Sequence, residues 1–210
     1  VLSIALYILA ASNRLSLKSN EAGLKYFLMG SFASGIILFG ICLIYGAMGS
    51  FDVIDISELS QSAELPVWFP IGMFFKIAAV PFHFWAPDVY EGSPTLTTAL
   101  MSTLAKVVAI ATLFKLLTIM NADISPSFQL IIVIISMASM TVGNIMALRQ
   151  VNVKRILAYS GISHAGFMLM TLLSTTNAAA TLLYYSSAYA LAGIAAFSVI
   201  IYVCKDNENE

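Results

Sequence analysis

The sequence predicts an all-α, polytopic transmembrane helix bundle. Of its 210 residues, 60% are hydrophobic and 10% are charged, whereas a soluble domain carries about 25% charged residues. The mean hydropathy is +0.90, so the chain has too few polar groups to cover itself in water, and we expect a lipid bilayer to surround it. The net charge of −1 gives no reason to expect a nucleic-acid partner.

Seven apolar segments within one domain, residues 1–210, account for the helices, and a spanning helix needs about 20 residues. The first segment, at about 1–12, is too short to span, and its basic residues follow the apolar run instead of preceding it as in a signal peptide. We predict that it is the second part of a helix that begins upstream. The other predicted helices lie at about 20–49, 65–85, 95–122, 125–148, 153–173 and 178–204.

The loops between these segments predict the orientation. If the first helix ends in the cytoplasm, the loops on that side hold seven basic residues and the opposite loops hold none. This asymmetry follows the positive-inside rule. The loop Arg149–Arg155 is therefore predicted to be cytoplasmic.

Two lysines are predicted near the middle of the membrane. Lys76 is the twelfth of the 23 residues in Leu65–Pro87, and Lys106 follows Glu91 at the same separation, fifteen residues, at which Lys76 precedes it. Two antiparallel helices joined near Glu91 would hold both ammonium groups at one depth, at roughly 2.5–3.5 kcal/mol each on insertion scales. Because burial disfavours an ammonium ion and a nearby carboxylate favours it, the pair is predicted to relay protons. A structural ion pair with another helix is the alternative.

Three further polar residues extend this prediction. His83 lies two turns beyond Lys76, and His164 lies about eight residues into its own segment, with Tyr159 about one turn before it. A single histidine in a helix is more often a packed, hydrogen-bonded side chain than a proton carrier. Beside two buried lysines, however, these side chains could bridge a relay.

A proline close to Lys76 predicts a broken helix. Pro81 has no N–H to donate to the carbonyl of Ile77, so the helix should kink or break there. Transporters place ion sites at such breaks, where the freed backbone lines a wet cavity, although a plain kink is the alternative. Ser93 and Pro94 predict the N-cap and first residue of the next helix.

Cys42 and Cys204 lie in apolar stretches without paired spacing. They form no CxxC, iron–sulfur or haem motif, and we predict that both are buried small side chains. The sequence therefore predicts no cofactor and no metal bound by this chain.

Three runs of sequence resemble a known family. They are Glu21–Gly40 (EAGLKYFLMGSFASGIILFG), Lys76–Thr95 (KIAAVPFHFWAPDVYEGSPT) and Gly143–Phe167 (GNIMALRQVNVKRILAYSGISHAGF). They resemble the antiporter-like, proton-translocating membrane subunits of NADH–quinone oxidoreductase (respiratory complex I), subunit N in particular. The resemblance covers nearly the whole chain and implies a fragment from the fifth to the eleventh helix of an inverted-repeat fold.

The resemblance also implies roles for individual residues. Lys76 matches the proton-uptake lysine of the broken seventh helix, Lys106 the relay lysine of the eighth helix, and Lys25 a lysine of the sixth helix implicated in activity. Three more residues match polar positions of the central hydrophilic axis: His83, Tyr159 and His164. The family's modulating glutamate is expected just before the first residue, and its twelfth-helix lysine after the last.

The function implied is that of a translocase subunit in the bacterial inner membrane, which contributes proton pumping while other subunits carry the redox chemistry with NADH, FMN, Fe–S clusters and quinone. Neighbouring antiporter-like and small membrane subunits, together with the lipid bilayer, are the implied partners. A subunit of a cation/proton antiporter or of a membrane-bound hydrogenase is the alternative within the same fold, and the run Asp88–Gly92 favours subunit N. An inert scaffold is the alternative from another class, and it would need no ionisable residue at positions 76 and 106.

Overall fold

The computed structural model describes residues 2–52, 55, 68–119, 126–173 and 177–204. Over these ranges the chain is helical, with one π-helical segment and no strand. The helices are α1 (Leu2–Ala10), α2 (Leu17–Met48), α3 (Trp68–Lys76), α4 (Trp85–Gly92), α5 (Thr95–Leu100), the π-helical segment Met101–Ala105, α6 (Lys106–Ile119), α7 (Pro126–Ala147), α8 (Val153–Thr171) and α9 (Ala178–Val203). Most of the loops predicted to face outside, and the chain from Lys205 onwards, lie outside the described residues.

Local capping chemistry sets the ends of the long helices. Ser16 precedes α2, and its hydroxyl accepts a hydrogen bond from the Ser19 N–H at 3.4 Å. Gly49 ends the same helix with φ 72°, a left-handed conformation that glycine adopts without steric cost. Asn152 begins α8 by accepting the Lys154 N–H at 2.9 Å. These caps satisfy backbone groups that a helix terminus leaves unpaired.

The segment predicted at about 65–85 is broken next to Lys76, as Pro81 predicted. α3 stops at Lys76, an irregular segment follows, and a separate short helix, α4, begins at Trp85. Ala78 has φ 58°, a left-handed conformation that turns the backbone away from the helix axis. The Val80–Pro81 peptide bond that follows is cis. The Val80 N–H donates to the Ser139 hydroxyl of α7 at 2.9 Å, and this bond satisfies a backbone group exposed by the break.

The start of the following helix differs from the prediction. Pro94 has φ −55° and ψ 141° and is itself the N-cap of α5, so it is not the first helical residue. Ser93 ends α4, with its N–H bonded to the Val89 carbonyl. No side-chain capping bond forms at this junction. The Ser93 hydroxyl is buried and forms no hydrogen bond with the described residues.

Helices α7 and α8 pack closely because small residues line their contact. The Ser136 hydroxyl donates to the Gly166 carbonyl at 2.7 Å. At Gly143 an added Cβ atom would lie 2.8 Å from the Ser163 nitrogen, which is closer than a real Cβ atom can approach. Small residues that bring helix backbones together are the usual packing device in membranes.

Four of the described helices are long and apolar enough to cross a membrane: Leu17–Gly46, Thr95–Thr118, Phe128–Ala147 and Ala178–Val203. The chain is a multi-pass membrane protein. The prediction that both cysteines are buried is wrong, since Cys42 is exposed on α2 and Cys204 is partly exposed. In a bilayer an apolar thiol loses nothing by facing lipid, so apolar surroundings in the sequence do not predict burial inside the protein.

Candidate proton-transfer site

Lys106 is the most deeply buried charged side chain among the described residues. It is the first residue of α6, directly after the π-helical segment, and 1% of it is exposed. Its Nζ lies 5.7 Å from the centre of the Tyr90 ring and forms no hydrogen bond or ion pair with any described residue. The π-electron face of Tyr90 offsets part of the desolvation of the ammonium group, and π-helical turns occur frequently at functional sites.

Gly161 on α8 lies next to both the Lys106 ammonium and a tyrosine of α9. A Cβ atom added at Gly161 would lie 2.5 Å from Lys106 Nζ and 2.9 Å from the hydroxyl oxygen of Tyr189. Because glycine has no side chain, these two polar groups can face each other here. The Tyr189 hydroxyl donates to the Ser102 carbonyl, in the π-helical segment, at 3.1 Å.

His164 lies one turn further along α8 and belongs to the same group of side chains. Its Nδ1 is 2.7 Å from the Tyr185 hydroxyl, and its ring centre is 5.1 Å from that of Tyr189. Sequence reasoning selected His164 and missed both tyrosines. Their spacing of four residues, which places them on one face of α9, is the signal that could have found them.

Lys76 occupies a separate environment at the end of α3. Its Nζ donates to the Ser3 hydroxyl of α1 at 3.1 Å, and it forms no ion pair within the described part of the chain. The C-terminal end of α3 favours a positive charge at this position. Lys76 also lines a cavity of about 480 Å³ between α1, α2, α3 and α6, to which Tyr7 and Thr112 contribute polar atoms.

Lys25 belongs to an ion cluster that joins α2, α4 and α8. Its Nζ lies 2.7 Å from Glu21 and 3.2 Å from Asp88. Arg155 donates to both Asp88 and Glu91 at 2.9 Å. The arginine side chain is 27% exposed, so this pairing is less screened by solvent than an ordinary surface ion pair. Sequence reasoning missed the cluster; Asp88 and Glu91, three residues apart on one short helix, were its visible signal.

The other two predicted residues are not brought into contact with the buried lysines. Tyr159 is buried in the core shared by α1, α2, α4 and α8. His83 lies partly buried in the irregular segment after α3, with its Nδ1 shielded from solvent. None of the hydrogen bonds found within the described ranges joins either residue to Lys76 or Lys106.

Comparison with known proteins places this geometry in a family. The model of the family described as NADH:quinone oxidoreductase/Mrp antiporter, TM, matches residues 1–210. The chain belongs to this family. NADH-quinone oxidoreductase subunit N of Flavobacterium johnsoniae is 74% identical over 224 residues, which cover 100% of this chain and 48% of that protein. The chain spans about half the length of the curated relatives it matches.

Solved structures of NADH:quinone oxidoreductase/Mrp antiporter relatives share the fold. A chain of respiratory complex I from Thermus thermophilus with bound aureothin superposes with a TM-score of 0.78 at 36% identity, covering 95% of this chain and 44% of that one. A chain of the archaeal membrane-bound sulfane sulfur reductase gives a TM-score of 0.85 at 25% identity, covering 96% of this chain and 43% of that one. The predicted all-helical, antiporter-like fold is confirmed.

The described residues do not fit a redox centre. No three or more His, Cys, Asp or Glu side chains among them come together in a way that could hold a metal ion. Cys42 lies within α2 and Cys204 at the end of α9, whereas an iron–sulfur cluster requires several thiolate ligands on one centre.

Proposed function

We propose that this chain is a segment of the proton-translocating membrane subunit N of a bacterial NADH–quinone oxidoreductase. Electron transfer from NADH to quinone, with FMN and Fe–S clusters, takes place in other subunits and drives protons through the buried lysines of this one. The 74% identity to a subunit N supports the proposal. The chain then works as part of a translocase.

The burial of Lys106 is the observation that carries this function. A lysine placed only for structure in a membrane bundle would be paired or would reach the interface with its ammonium group. Lys106 is 1% exposed and forms no hydrogen bond or ion pair with the described residues. An ammonium in this position is held at a cost of several kcal/mol. A charge that moves nearby would alter that cost, so the residue can take up and release a proton in response to a distant event.

The remaining candidate residues take roles around Lys106. Lys76 takes up protons, with the Ser3 hydroxyl and the adjoining cavity as its contacts. His164 accepts protons beyond Lys106. Lys25 orders the bundle through its ion pair with Asp88, and His83 and Tyr159 contribute polar groups along the path.

We place the chain in the bacterial inner membrane, with Arg149–Arg155 in the cytoplasm. The distribution of basic residues between the predicted loops supports this orientation. The surrounding antiporter-like and small membrane subunits, together with lipid, are its partners. The identity to subunit N, together with the run Asp88–Gly92, favours this assignment over an antiporter or hydrogenase subunit.

The test is replacement of Lys106 in the complete, assembled enzyme. We expect Lys106→Ala to lower proton pumping and quinone-dependent NADH oxidation together, to below about a tenth of the wild-type rates, since a positioned proton carrier contributes at least that factor. Lys106→Arg should fail as well, because a guanidinium group hardly deprotonates. Pumping is measured by a pH-sensitive dye in inverted membrane vesicles, and assembly by native gel electrophoresis.

Lys115 provides the matched control, because it lies on the same helix with its side chain exposed. Lys115→Ala should assemble and pump as the wild type does. An enzyme that assembles with Lys106→Ala and keeps its pumping per electron would show that Lys106 carries no protons and would favour a scaffold role.

A further inference from the structure

We propose that the Tyr189 hydroxyl is the proton carrier that connects Lys106 with His164. The inference rests on the proposed function and adds to it a residue that sequence reasoning did not select. Lys106 Nζ forms no hydrogen bond with any described residue. The Tyr189 hydroxyl of α9 lies close to it, near Gly161.

The orientation of the Tyr189 hydroxyl makes it an acceptor for Lys106. Its proton is directed to the Ser102 carbonyl, at 3.1 Å, so its oxygen lone pairs remain free for a second donor. That oxygen and Lys106 Nζ both lie within 3 Å of the point where a Gly161 side chain would begin, at 2.9 and 2.5 Å. An ammonium group has three donors and no acceptor, so the two groups are complementary.

The π-helical segment positions the carbonyl that holds Tyr189. In an ordinary α-helix the Lys106 N–H would donate to the Ser102 carbonyl, four residues earlier. Here the Lys106 N–H donates to the Thr103 carbonyl. The Ser102 carbonyl is therefore open to the tyrosine hydroxyl, and the distortion that precedes Lys106 orients its partner.

His164 receives the proton from Tyr189. Its ring lies beside the Tyr189 ring, and the Tyr185 hydroxyl at 2.7 Å from Nδ1 fixes its orientation. As the Lys106 ammonium gives a proton to the Tyr189 oxygen, the Tyr189 hydroxyl releases its hydrogen bond to the Ser102 carbonyl. Its O–H bond breaks, and the original proton passes to the His164 imidazole through one bridging water. Lysine ends neutral, histidine ends protonated, and the phenol is neutral before and after the transfer.

The test is Tyr189→Phe in the complete enzyme, which removes one oxygen and keeps the ring. We expect normal assembly with a fall of about a hundredfold in proton pumping and in coupled NADH oxidation, the lower end of the range for loss of a positioned proton carrier. Tyr184→Phe is the control, because Tyr184 lies on the same helix and is 78% exposed. It should behave as the wild type does.

Gly161→Ala gives a second route to the same loss. The new methyl group would lie too close to both Lys106 Nζ and the Tyr189 oxygen, at 2.5 and 2.9 Å, so the two groups must move and pumping should fall while the hydroxyl is retained. The double variant with Tyr189→Phe should be no worse than the poorer single variant, since both interrupt one contact.

The outcomes separate this inference from the proposed function. If Lys106→Ala abolishes pumping but assembled Tyr189→Phe pumps at the wild-type rate, the tyrosine is not the carrier and the translocase function stands. Independent, multiplying losses in the double variant would also overturn the inference. If Lys106→Ala itself leaves pumping intact, the proposed function fails first.

Discussion

Replacement of Gly143 by alanine should separate α7 from α8. A Cβ atom at this position would lie 2.8 Å from the Ser163 nitrogen and 2.9 Å from the Tyr159 carbonyl oxygen, whereas a comfortable contact is about 3.5–4.0 Å. Both neighbours are backbone atoms, which cannot rotate aside. The two helices must therefore separate by roughly 0.5–1 Å, a gap that forfeits a quarter to a half of each affected van der Waals contact.

The expected loss of unfolding free energy in Gly143→Ala is the difference between two opposing effects. Overpacking costs typically about 1–3 kcal/mol, and the rigid backbone neighbours place Gly143→Ala near the upper end of that range. Alanine recovers up to about 1 kcal/mol because glycine is a poor helix former. We expect a net loss of about 2 kcal/mol. In the complete subunit, which is about twice as long as this chain, this is equivalent to roughly 2–4 °C in the thermal midpoint.

The assay is thermal unfolding of the purified complete subunit in detergent, followed by tryptophan fluorescence. Gly35→Ala is the matched control, because a Cβ atom at Gly35 meets nothing within 4 Å. That variant should keep the wild-type midpoint or exceed it slightly. A Gly143→Ala midpoint equal to that of the wild type would refute the close approach of α7 and α8.

Two further predictions concern the hydrogen bond at the helix break after α3 and the orientation of the loops in the membrane. Ser139→Ala should destabilise the subunit by about 1–3 kcal/mol, since it leaves the Val80 N–H without its acceptor; Ser198→Ala, whose hydroxyl is exposed and bonds within its own helix, should change the same unfolding midpoint little. In a background without native cysteines, Asn152→Cys should resist a membrane-impermeant thiol reagent added to intact cells, while Asp55→Cys should react. The opposite labelling pattern would reverse the orientation.

The break beside Lys76 shows how far the sequence could predict the fold. Pro81 indicated an interrupted helix because proline lacks a backbone N–H, which is known from the identity of that residue alone. The place where α3 ends depends also on the left-handed turn at Ala78 and on the acceptor that Ser139 provides. That acceptor comes from a helix more than fifty residues away, and no local pattern predicts it.

The candidate site was also only partly predictable from the sequence. Lys106 could be selected because a charged residue is rare within an apolar segment. Tyr189 is one of nine tyrosines, and its relation to Lys106 depends on the crossing of α6, α8 and α9. Lys25 was selected only through the family resemblance, and its ion pair with Asp88 depends on the packing of α2 against α4.

The rotational position of Lys106 on its helix depends on the π-helical segment that precedes it. A π-helical turn holds more residues than an α-helical one, and one residue corresponds to about 100° of rotation in an α-helix. The five residues Met101–Ala105 therefore change the rotational phase of everything that follows them. A one-residue deletion there would keep the segment just as apolar, yet it would rotate the lysine away from Gly161. A lysine at the aligned position of another chain occupies the same pocket only if that chain keeps the additional residue.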